Sequence, residues 1–185
     1  TLVGRKIFIY SGNMGAAQGL QIFIDLASRL KKQKDIGFIF VGRGTDKNKL
    51  KNKALMQNLN NIIFFDEIDH DEIQDLYDQC TAGILALDHR HKTHNIPGKF
   101  LSYMQSGLPV LANINKNNDL IKIIRDGHIG CVSDLNDVGD LVKLTNKLLQ
   151  IIETDNKISY RCKKLFNNEF SVSPKVKQIV QGFIK

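Results

Sequence analysis

The residues best suited to chemistry in this 185-residue chain lie in the stretch 94–112, HNIPGKFLSYMQSGLPVLA. Pro97 suits the first turn of a helix, where its missing N–H needs no acceptor, and Asn95 lies just upstream, where its side-chain oxygen can cap the helix. The free amides of a first turn and the positive end of the helix dipole favour an anion, and Lys99 lies one turn in. The pattern predicts a phosphate-type site, and a plain helix start with a solvated lysine fits the same residues.

A glycine turn, Gly12-Asn13-Met14-Gly15, follows the first apolar run and could bring backbone N–H groups against a phosphate. Its glycines do not have the GxGxxG spacing of dinucleotide-binding proteins, and Arg43 stands between two glycines where such proteins carry an acidic residue. No Gly-Lys-Ser/Thr of a Walker motif is present. Taken alone, the turn fits a tight turn as well as a phosphate cradle.

Three histidines, His89, His91 and His94, alternate with cations in one polar loop. The neighbouring positive charges and the lack of clustered Asp, Glu or Cys argue against a metal site, so substrate contact or a plain loop is the better interpretation. Neither a Ser-His-Asp arrangement nor a carboxylate pair can be argued from spacing, so nothing supports hydrolytic catalysis.

The elements that position these residues follow from hydrophobic patterning. Continuous apolar runs predict six buried strands at residues 6–10, 38–41, 62–65, 82–87, 110–112 and 130–132. Helical spacing predicts helices at 18–30, 45–57, from a capping box of Asp69 and Glu72, from Pro97 to a stop at Gly107, and at 118–126, 135–152, 158–168 and from Pro174. This alternation predicts one α/β domain over residues 1–185, a doubly wound Rossmann-like parallel sheet with helices on both faces. Its ligand loops should follow the carboxyl ends of the strands.

Composition narrows the possible partners. Hydrophobic residues make up 42% of the chain, charged residues 24%, and the net charge is +7, which favours an anionic partner. Aromatic residues do not interleave with the basic ones, which argues against nucleic acid, and the lysines of 47–53 are interpreted as a solvated helix face. Three separated cysteines favour a reducing cytoplasm. No apolar run approaches a membrane span, no secretory signal is visible, and the missing initiator Met suggests a piece of a longer protein.

Several motifs together point to one enzyme family. They are SGNMG (11–15) with QGL (18–20), VGRG (41–44), FFD (64–66) with Leu76-Tyr77, and above all IPGK (96–99) with Tyr103 and SGLPV (106–110). From about residue 6 onward the chain resembles family-4 glycosyltransferases, and within them the WbuB-like amino-sugar transferases of O-antigen assembly. The resemblance implies the C-terminal, donor-binding half of a GT-B enzyme, whose N-terminal acceptor domain is missing and without which this half is inactive.

The resemblance also implies roles for individual residues. Residues 12–15 would lie against the donor diphosphate, the backbone near Ile68 against the nucleobase, and the helix start at 96–99 against phosphates and sugar. Lys99 and His94 take the catalytic positions. The implied substrate-binding residues are Gly12, Asn13, Met14, Gly15, Gln18, Arg43, Ile68, Asn95, Ile96, Pro97, Gly98 and Ser102. No metal and no cofactor beyond the nucleotide-diphosphate sugar are implied.

Two departures from the family pattern affect donor binding. The family's two glutamates, separated by seven residues, fall here on His94 and Ser102, and a serine can accept one hydrogen bond where a carboxylate accepts two from adjacent ribose hydroxyls. Gln18 stands where many relatives have a phosphate-binding lysine, so Lys99 or Arg43 would have to carry that charge.

These features predict the donor-binding domain of a transferase that moves an activated hexosamine, with N-acetyl-L-fucosamine as the candidate sugar, onto a lipid-linked acceptor of surface polysaccharide. The expected location is the cytoplasm, with peripheral contact to the inner membrane. Two alternatives stay open: a nucleotide-sugar 2-epimerase of the same GT-B architecture, and a degenerate, non-catalytic protein-contact domain that has lost its ligand.

Overall fold

The structure, a computed structural model, describes residues 2–69, 71–90 and 96–171. Its centre is one sheet of six parallel strands in the spatial order β3-β2-β1-β4-β5-β6. The strands are β1 (Lys6–Ser11), β2 (Ile36–Val41), β3 (Ile62–Phe65), β4 (Ala82–Ala86), β5 (Val110–Asn113) and β6 (Gly130–Ser133). The predicted doubly wound, Rossmann-like α/β fold is therefore confirmed. The strand order reverses between β1 and β4, where folds of this type form a crevice for ligands.

Helices cover both faces of this sheet. They are α1 (Gln21–Arg29), α2 (Lys47–Met56), α3 (Ile73–Asp78), α4 (Gly98–Ser106), α5 (Asp119–Asp126), α6 (Val138–Thr154) and α7 (Ile158–Leu165). Helices α1, α2 and α6 pack on the face that carries Phe8 and Tyr10, and α3, α4, α5 and α7 pack on the face that carries Ile9. Both faces are covered, so the central strands read as continuous apolar runs. Among the described residues, no helix is both long enough and apolar enough to cross a bilayer.

The structure corrects several predicted helix boundaries. The helix predicted from residue 18 is interrupted at Gly19, which has φ +60°, so that Gln18 ends a 3₁₀ turn (Ala16–Gln18) and α1 begins at Gln21. A Cβ on Gly19 would lie 3.1 Å from the Asp88 Cα, so the break serves a close approach to the β4 end. The helix predicted from residue 135 begins at Val138, after Asp137, whose side chain accepts the Asp140 N–H.

Two predicted helix starts also differ in detail. The capping box of Asp69 and Glu72 is absent: α3 starts after Glu72 with no side-chain cap, and the Glu72 N–H donates to the Asp69 carbonyl at 3.1 Å. Pro97 lies just outside α4, with ψ 138°, rather than in its first turn. The end of α4 at Gly107 is as predicted, because φ +79° there lets the chain turn directly into β5.

At the C-terminal side, α7 ends at Leu165 and a π turn, Phe166–Phe170, replaces the predicted continuation to residue 168. The helix predicted from Pro174 lies outside the described residues. The three cysteines are free.

Candidate functional site

A cavity of about 410 Å³ opens at the carboxyl ends of β1 and β2, between the segment after β3, α3 and α4. It brings together four residues singled out in the sequence: Gly12, Ile68, Lys99 and Ser102. The other residues that line it are Ser11, Val41, Gly42, Glu67, Ile73 and Tyr77. A larger groove of about 890 Å³ runs along β6, but it contains none of the residues predicted to do chemistry. The smaller cavity is therefore the candidate site.

Lys99 supplies the positive charge of this cavity. Its Nζ lies 4.7 Å from the centre of the Tyr10 ring, and its Cε lies 3.6 Å from where a Cβ on Gly12 would be. Burial lowers the pKa of this ammonium to about 8. No hydrogen-bond acceptor within the described ranges contacts it. An amine that is desolvated and unpaired in this way attracts an anion that enters the cavity.

The Tyr10 ring, against which the Lys99 ammonium packs, is itself fixed in place. The ring stacks on Phe40 at 5.9 Å between centroids, and its hydroxyl donates to the Asn13 carbonyl. Both the strand β1 and the glycine turn therefore fix the ring over which the Lys99 ammonium lies.

Three of the four backbone amides of the glycine turn 12–15 already donate to acceptors elsewhere in the protein. The Gly12 N–H donates to the Val41 carbonyl at 2.9 Å, the Met14 N–H to the Arg43 carbonyl at 2.7 Å, and the Gly15 N–H to Gln18 Oε1 at 3.0 Å. The Met14 side chain is fully buried. Because these three amides already have acceptors, they support the interpretation of a tight turn. Contact of the turn with a diphosphate stays a prediction. Gly12 has φ +122°, a backbone conformation that favours glycine, and Lys99 packs beside it.

Two polar side chains predicted at the site are committed to other partners. Gln18 Oε1 also lies 3.5 Å from Asn13 Nδ2, so this side chain braces the turn. Arg43 Nε lies 3.1 Å from Glu67 Oε1 with 81% of its side chain exposed, and Arg43 is not among the residues lining the cavity. Of the two cations considered for the role of the missing lysine, Lys99 faces the cavity.

The start of α4 forms the wall beside Lys99. Ile96 and Pro97 lead into it, and a Cβ on Gly98 would have open space around it. Ser102 lines the cavity one turn further on, and its Oγ is 3.5 Å from the Gly98 carbonyl. His91, His94 and Asn95 lie outside the described residues. Within the ranges that the structure describes, no three His, Cys, Asp or Glu side chains are grouped to hold a metal ion.

A buried hydroxyl cluster at the base of the cavity, which Ser11 and Tyr77 also line, was missed by sequence reasoning. Ser11 Oγ lies 2.5 Å from the Tyr77 hydroxyl, and the Tyr103 hydroxyl donates to the Ile9 carbonyl at 3.1 Å and accepts the Ser11 N–H at 3.2 Å. The cluster ties β1 to α3 and α4. Helical spacing predicts the helix face on which each tyrosine lies, but it does not predict the hydrogen-bond partners of the two hydroxyl groups.

Lys47 corrects the interpretation of residues 47–53 as a solvated face. Its Nζ donates to the Gly42 carbonyl at 2.8 Å, to the Phe65 carbonyl at 2.7 Å and to Asp66 Oδ1 at 2.6 Å. Only 17% of its side chain is exposed, and its contact lowers the pKa of Asp66. A signal was available, because Lys47 is three residues before the buried Leu50 and seven before the buried Ala54, on one helix face.

At the end of β4, Asp88 closes a second ion pair. Its carboxylate accepts from Arg90 Nε at 2.9 Å and from Arg90 Nη2 at 2.7 Å, which lowers the pKa of Asp88 to about 2. His89 Nδ1 lies 3.7 Å from the same carboxylate. The Asp88 charge is thus neutralised locally, and the unpaired charge of the site stays on Lys99.

Comparison with known proteins identifies the family of this chain. The family model for glycosyl transferases group 1 matches residues 2–165. The probable glycosyltransferase WbjE of Pseudomonas aeruginosa is 24% identical over 148 residues, which are 80% of this chain and 37% of that protein. The O-antigen chain mannosyltransferase C of Escherichia coli is 24% identical over 170 residues, or 91% of this chain and 44% of that protein.

A solved structure shows the same fold. HepE from Anabaena, in complex with UDP-glucose, superposes with a TM-score of 0.80 at 15% identity, over 98% of this chain and 49% of that one. The chain therefore spans less than half the length of each of these three proteins. The family model covers most of the chain, and the chain belongs to the glycosyl transferases group 1 family.

Proposed function

We propose that this chain is the donor-binding domain of a glycosyltransferase and that a nucleotide-diphosphate sugar occupies the cavity beside Lys99. The observation that carries the proposal is the Lys99 ammonium itself, which is half-buried over the Tyr10 ring, beside Gly12, with no acceptor among the described residues. A diphosphate is the part of such a donor that this charge recognises, because it is the anionic group of the molecule.

The same arrangement suits group transfer. Negative charge develops on the diphosphate when its bond to the sugar breaks, and a cation already held in place beside it stabilises that charge without having to reorganise. The first turn of α4, which contains Lys99, also places the positive end of the helix dipole on this side of the cavity. Lys99 and this helix start thus replace the function that a metal ion would otherwise serve.

The finer specificity follows the family resemblance. The donor is an activated hexosamine, with N-acetyl-L-fucosamine as the candidate, and the acceptor is a lipid-linked saccharide of O-antigen or another surface polysaccharide, as in the WbuB-like branch. The name of the relative from Escherichia coli, an O-antigen chain mannosyltransferase, supports the pathway class and leaves the sugar open. HepE, solved with UDP-glucose, supports a uridine nucleotide as the first one to test.

The acceptor site belongs to a second domain in this proposal. The chain spans less than half the length of WbjE and of mannosyltransferase C. The cavity opens at the carboxyl ends of the strands, where a second domain would face the donor. The net charge of +7 suits a cytoplasmic enzyme that rests on an acidic inner-membrane surface.

The test is an amide chemical-shift titration of the 185-residue chain with UDP, dTDP, GDP, CMP and uridine, with and without magnesium. We expect perturbations at Gly12, Ile68, Lys99 and Ser102, a preference for one diphosphate, and no requirement for magnesium. Shifts centred on the groove along β6 would refute the placement. A flat response to every nucleotide would refute donor binding by this chain and favour the protein-contact alternative.

A further inference from the structure

We propose that Lys47 is a positioning residue for nucleobase recognition: it holds the segment 65–68, which forms one wall of the cavity, against the end of β2. This inference rests on the proposed binding of a nucleotide in that cavity. Lys47 is not among the residues that line the cavity, so it acts through the backbone that it binds.

The geometry shows why a cation is needed at this point. The ladder between β2 and β3 ends at the pair Val41 and Phe65, and the Gly42 N–H then donates to the Phe65 carbonyl over a longer distance of 3.3 Å. Two carbonyls, those of Gly42 and Phe65, then meet at the strand ends. The Lys47 ammonium donates to both, and carbonyls that converge in this way are stabilised by a shared positive donor.

The third contact of Lys47 is with the segment that follows β3, residues 66–68. Asp66 accepts from Lys47 at 2.6 Å and stands directly before Glu67 and Ile68, which line the cavity. In the described part of the chain, Lys47 and Arg43 supply the polar side-chain contacts to residues 66–68, and the Arg43 side chain is mostly exposed. The Asp66 side chain is fully exposed as well, so Lys47 is the firmer tether of the wall that carries Ile68 because of its two carbonyl contacts.

The two groups that recognise a nucleotide are thus held separately. Lys99 extends from α4 and lies over β1, whereas Ile68 is held from the β2 side by Lys47. Loss of Lys47 should displace the wall that meets the base and leave the cation that meets the phosphates in place. This separation makes the role of Lys47 measurable.

The experiment compares Lys47→Met with the exposed Lys49→Met on the same helix, and measures the dissociation constants of UDP and of inorganic pyrophosphate by calorimetry. We expect Lys47→Met to lose about tenfold in UDP affinity, the usual scale for a charged hydrogen bond, with pyrophosphate affinity unchanged. Lys49→Met should match the wild type for both ligands. Lys47→Arg should recover most of the UDP affinity, and Asp66→Asn, which keeps both carbonyl contacts, should lose less than Lys47→Met.

The amide shifts of Ile68 on uridine addition give an independent readout. They should shrink in Lys47→Met and return in Lys47→Arg. A Lys47→Met protein that is less stable but keeps the wild-type ratio of UDP to pyrophosphate affinity would overturn the inference, because its lysine would then be structural alone. A wild-type chain that binds pyrophosphate and shows no preference for UDP would also overturn it. Failure of the wild type to bind either ligand would instead refute the proposed function.

Discussion

Two lysines stand on opposite sides of the candidate cavity, and their surroundings are opposite as well. Lys47, on the β2–β3 side, donates to three oxygens. Lys99, on the α4 side, lies over an aromatic ring with no acceptor among the described residues, and burial lowers its pKa to about 8. Both side chains are partly shielded from water, and each extends from a helix, Lys47 from α2 and Lys99 from α4.

The ammonium of Lys47 is bound to oxygens of the protein itself, whereas the ammonium of Lys99 is left able to bind an anionic ligand. The Lys47 contacts stabilise the structure and leave its ammonium with no free donor direction toward a ligand. The Lys99 ammonium is desolvated against the Tyr10 ring and has no charged acceptor among the described residues, which costs stability, and such a cost is typical of residues held ready for a ligand. Substitutions at these two lysines should therefore have different effects on binding and on stability.

Lys99→Met should lower the affinity for UDP by about 100-fold, because the diphosphate loses its buried cationic partner. The affinity for uridine, which lacks phosphates, should stay at the wild-type value. Calorimetric titration of both ligands measures the two effects. Lys122→Met removes an exposed lysine from α5 and serves as the matched control. An equal loss for UDP and uridine would show that Lys99 shapes the cavity rather than meeting the phosphates.

The same two lysines should affect stability with opposite sign. Lys99→Met should raise the free energy of unfolding at pH 7 by about 2 kcal/mol, since the desolvated charge is removed. Lys47→Met should lower it by about 2 kcal/mol, since it leaves two carbonyls without their charged donor. Urea unfolding of both variants beside the wild type measures the pair. Destabilisation by both substitutions would mean that the Lys99 contact with Tyr10 outweighs its desolvation, and the contrast would fail.

The pH dependence of binding sharpens the assignment to Lys99. A bound diphosphate favours the charged amine and raises the pKa of Lys99 above its value of about 8 in the free chain, so the complex holds more protons than the free chain above that pH. UDP affinity should therefore be constant below about pH 8 and fall above it, by at most about tenfold per pH unit. Titrations from about pH 7 to about pH 10 measure this. In Lys99→Met the decrease in UDP affinity at high pH should disappear. If the decrease persists in this variant, another titrating group causes it.

Stability should change in the opposite direction over the same range. The folded pKa of Lys99 lies below that of the unfolded chain, so the unfolded chain binds the extra proton between about pH 8 and the ordinary lysine pKa of 10.5. The contribution of Lys99 to the free energy of unfolding therefore rises with pH in that range. Comparison of wild type and Lys99→Met in urea at several pH values isolates this contribution.

The fold was largely predictable because burial on both sides leaves a simple signature. All six strands appear in the sequence as apolar runs, and Gly107 marks the end of α4 because its positive φ suits glycine. The break at Gly19 was not predictable from periodicity, since the apolar spacing around it fits an uninterrupted helix. It arises from close approach to the Asp88 backbone, which is a tertiary contact between distant parts of the chain.

The candidate site was predictable to a smaller extent, and the two lysines show why. The sequence places Lys99 at a helix start near Gly12 once a parallel sheet is assumed, and the structure brings the two together. Nothing in the sequence places the Tyr10 ring beneath the ammonium. Lys47 sits in a run with Lys49, Lys51 and Lys53, and charge counting treats the four alike. Its phase with Leu50 and Ala54 places it on the buried side of α2, but its partners are strand-end carbonyls that carry no sequence signal.

Ser102→Glu gives the smallest expected effect and tests whether the Lys99 side of the cavity also meets the ribose. A carboxylate at this position can accept from two adjacent hydroxyls, so UDP should gain about threefold to tenfold over 2′-deoxyuridine diphosphate, relative to the same ratio in the wild type. The ratio matters rather than either affinity alone, because a glutamate three residues after Lys99 can pair with the ammonium and weaken the binding of both diphosphates equally. Ser102→Gln, of similar length without the charge, is the control and should show a smaller gain. An unchanged ratio in Ser102→Glu would place the ribose against another wall, and Glu67, on the side that Lys47 holds, would then be the next carboxylate to substitute.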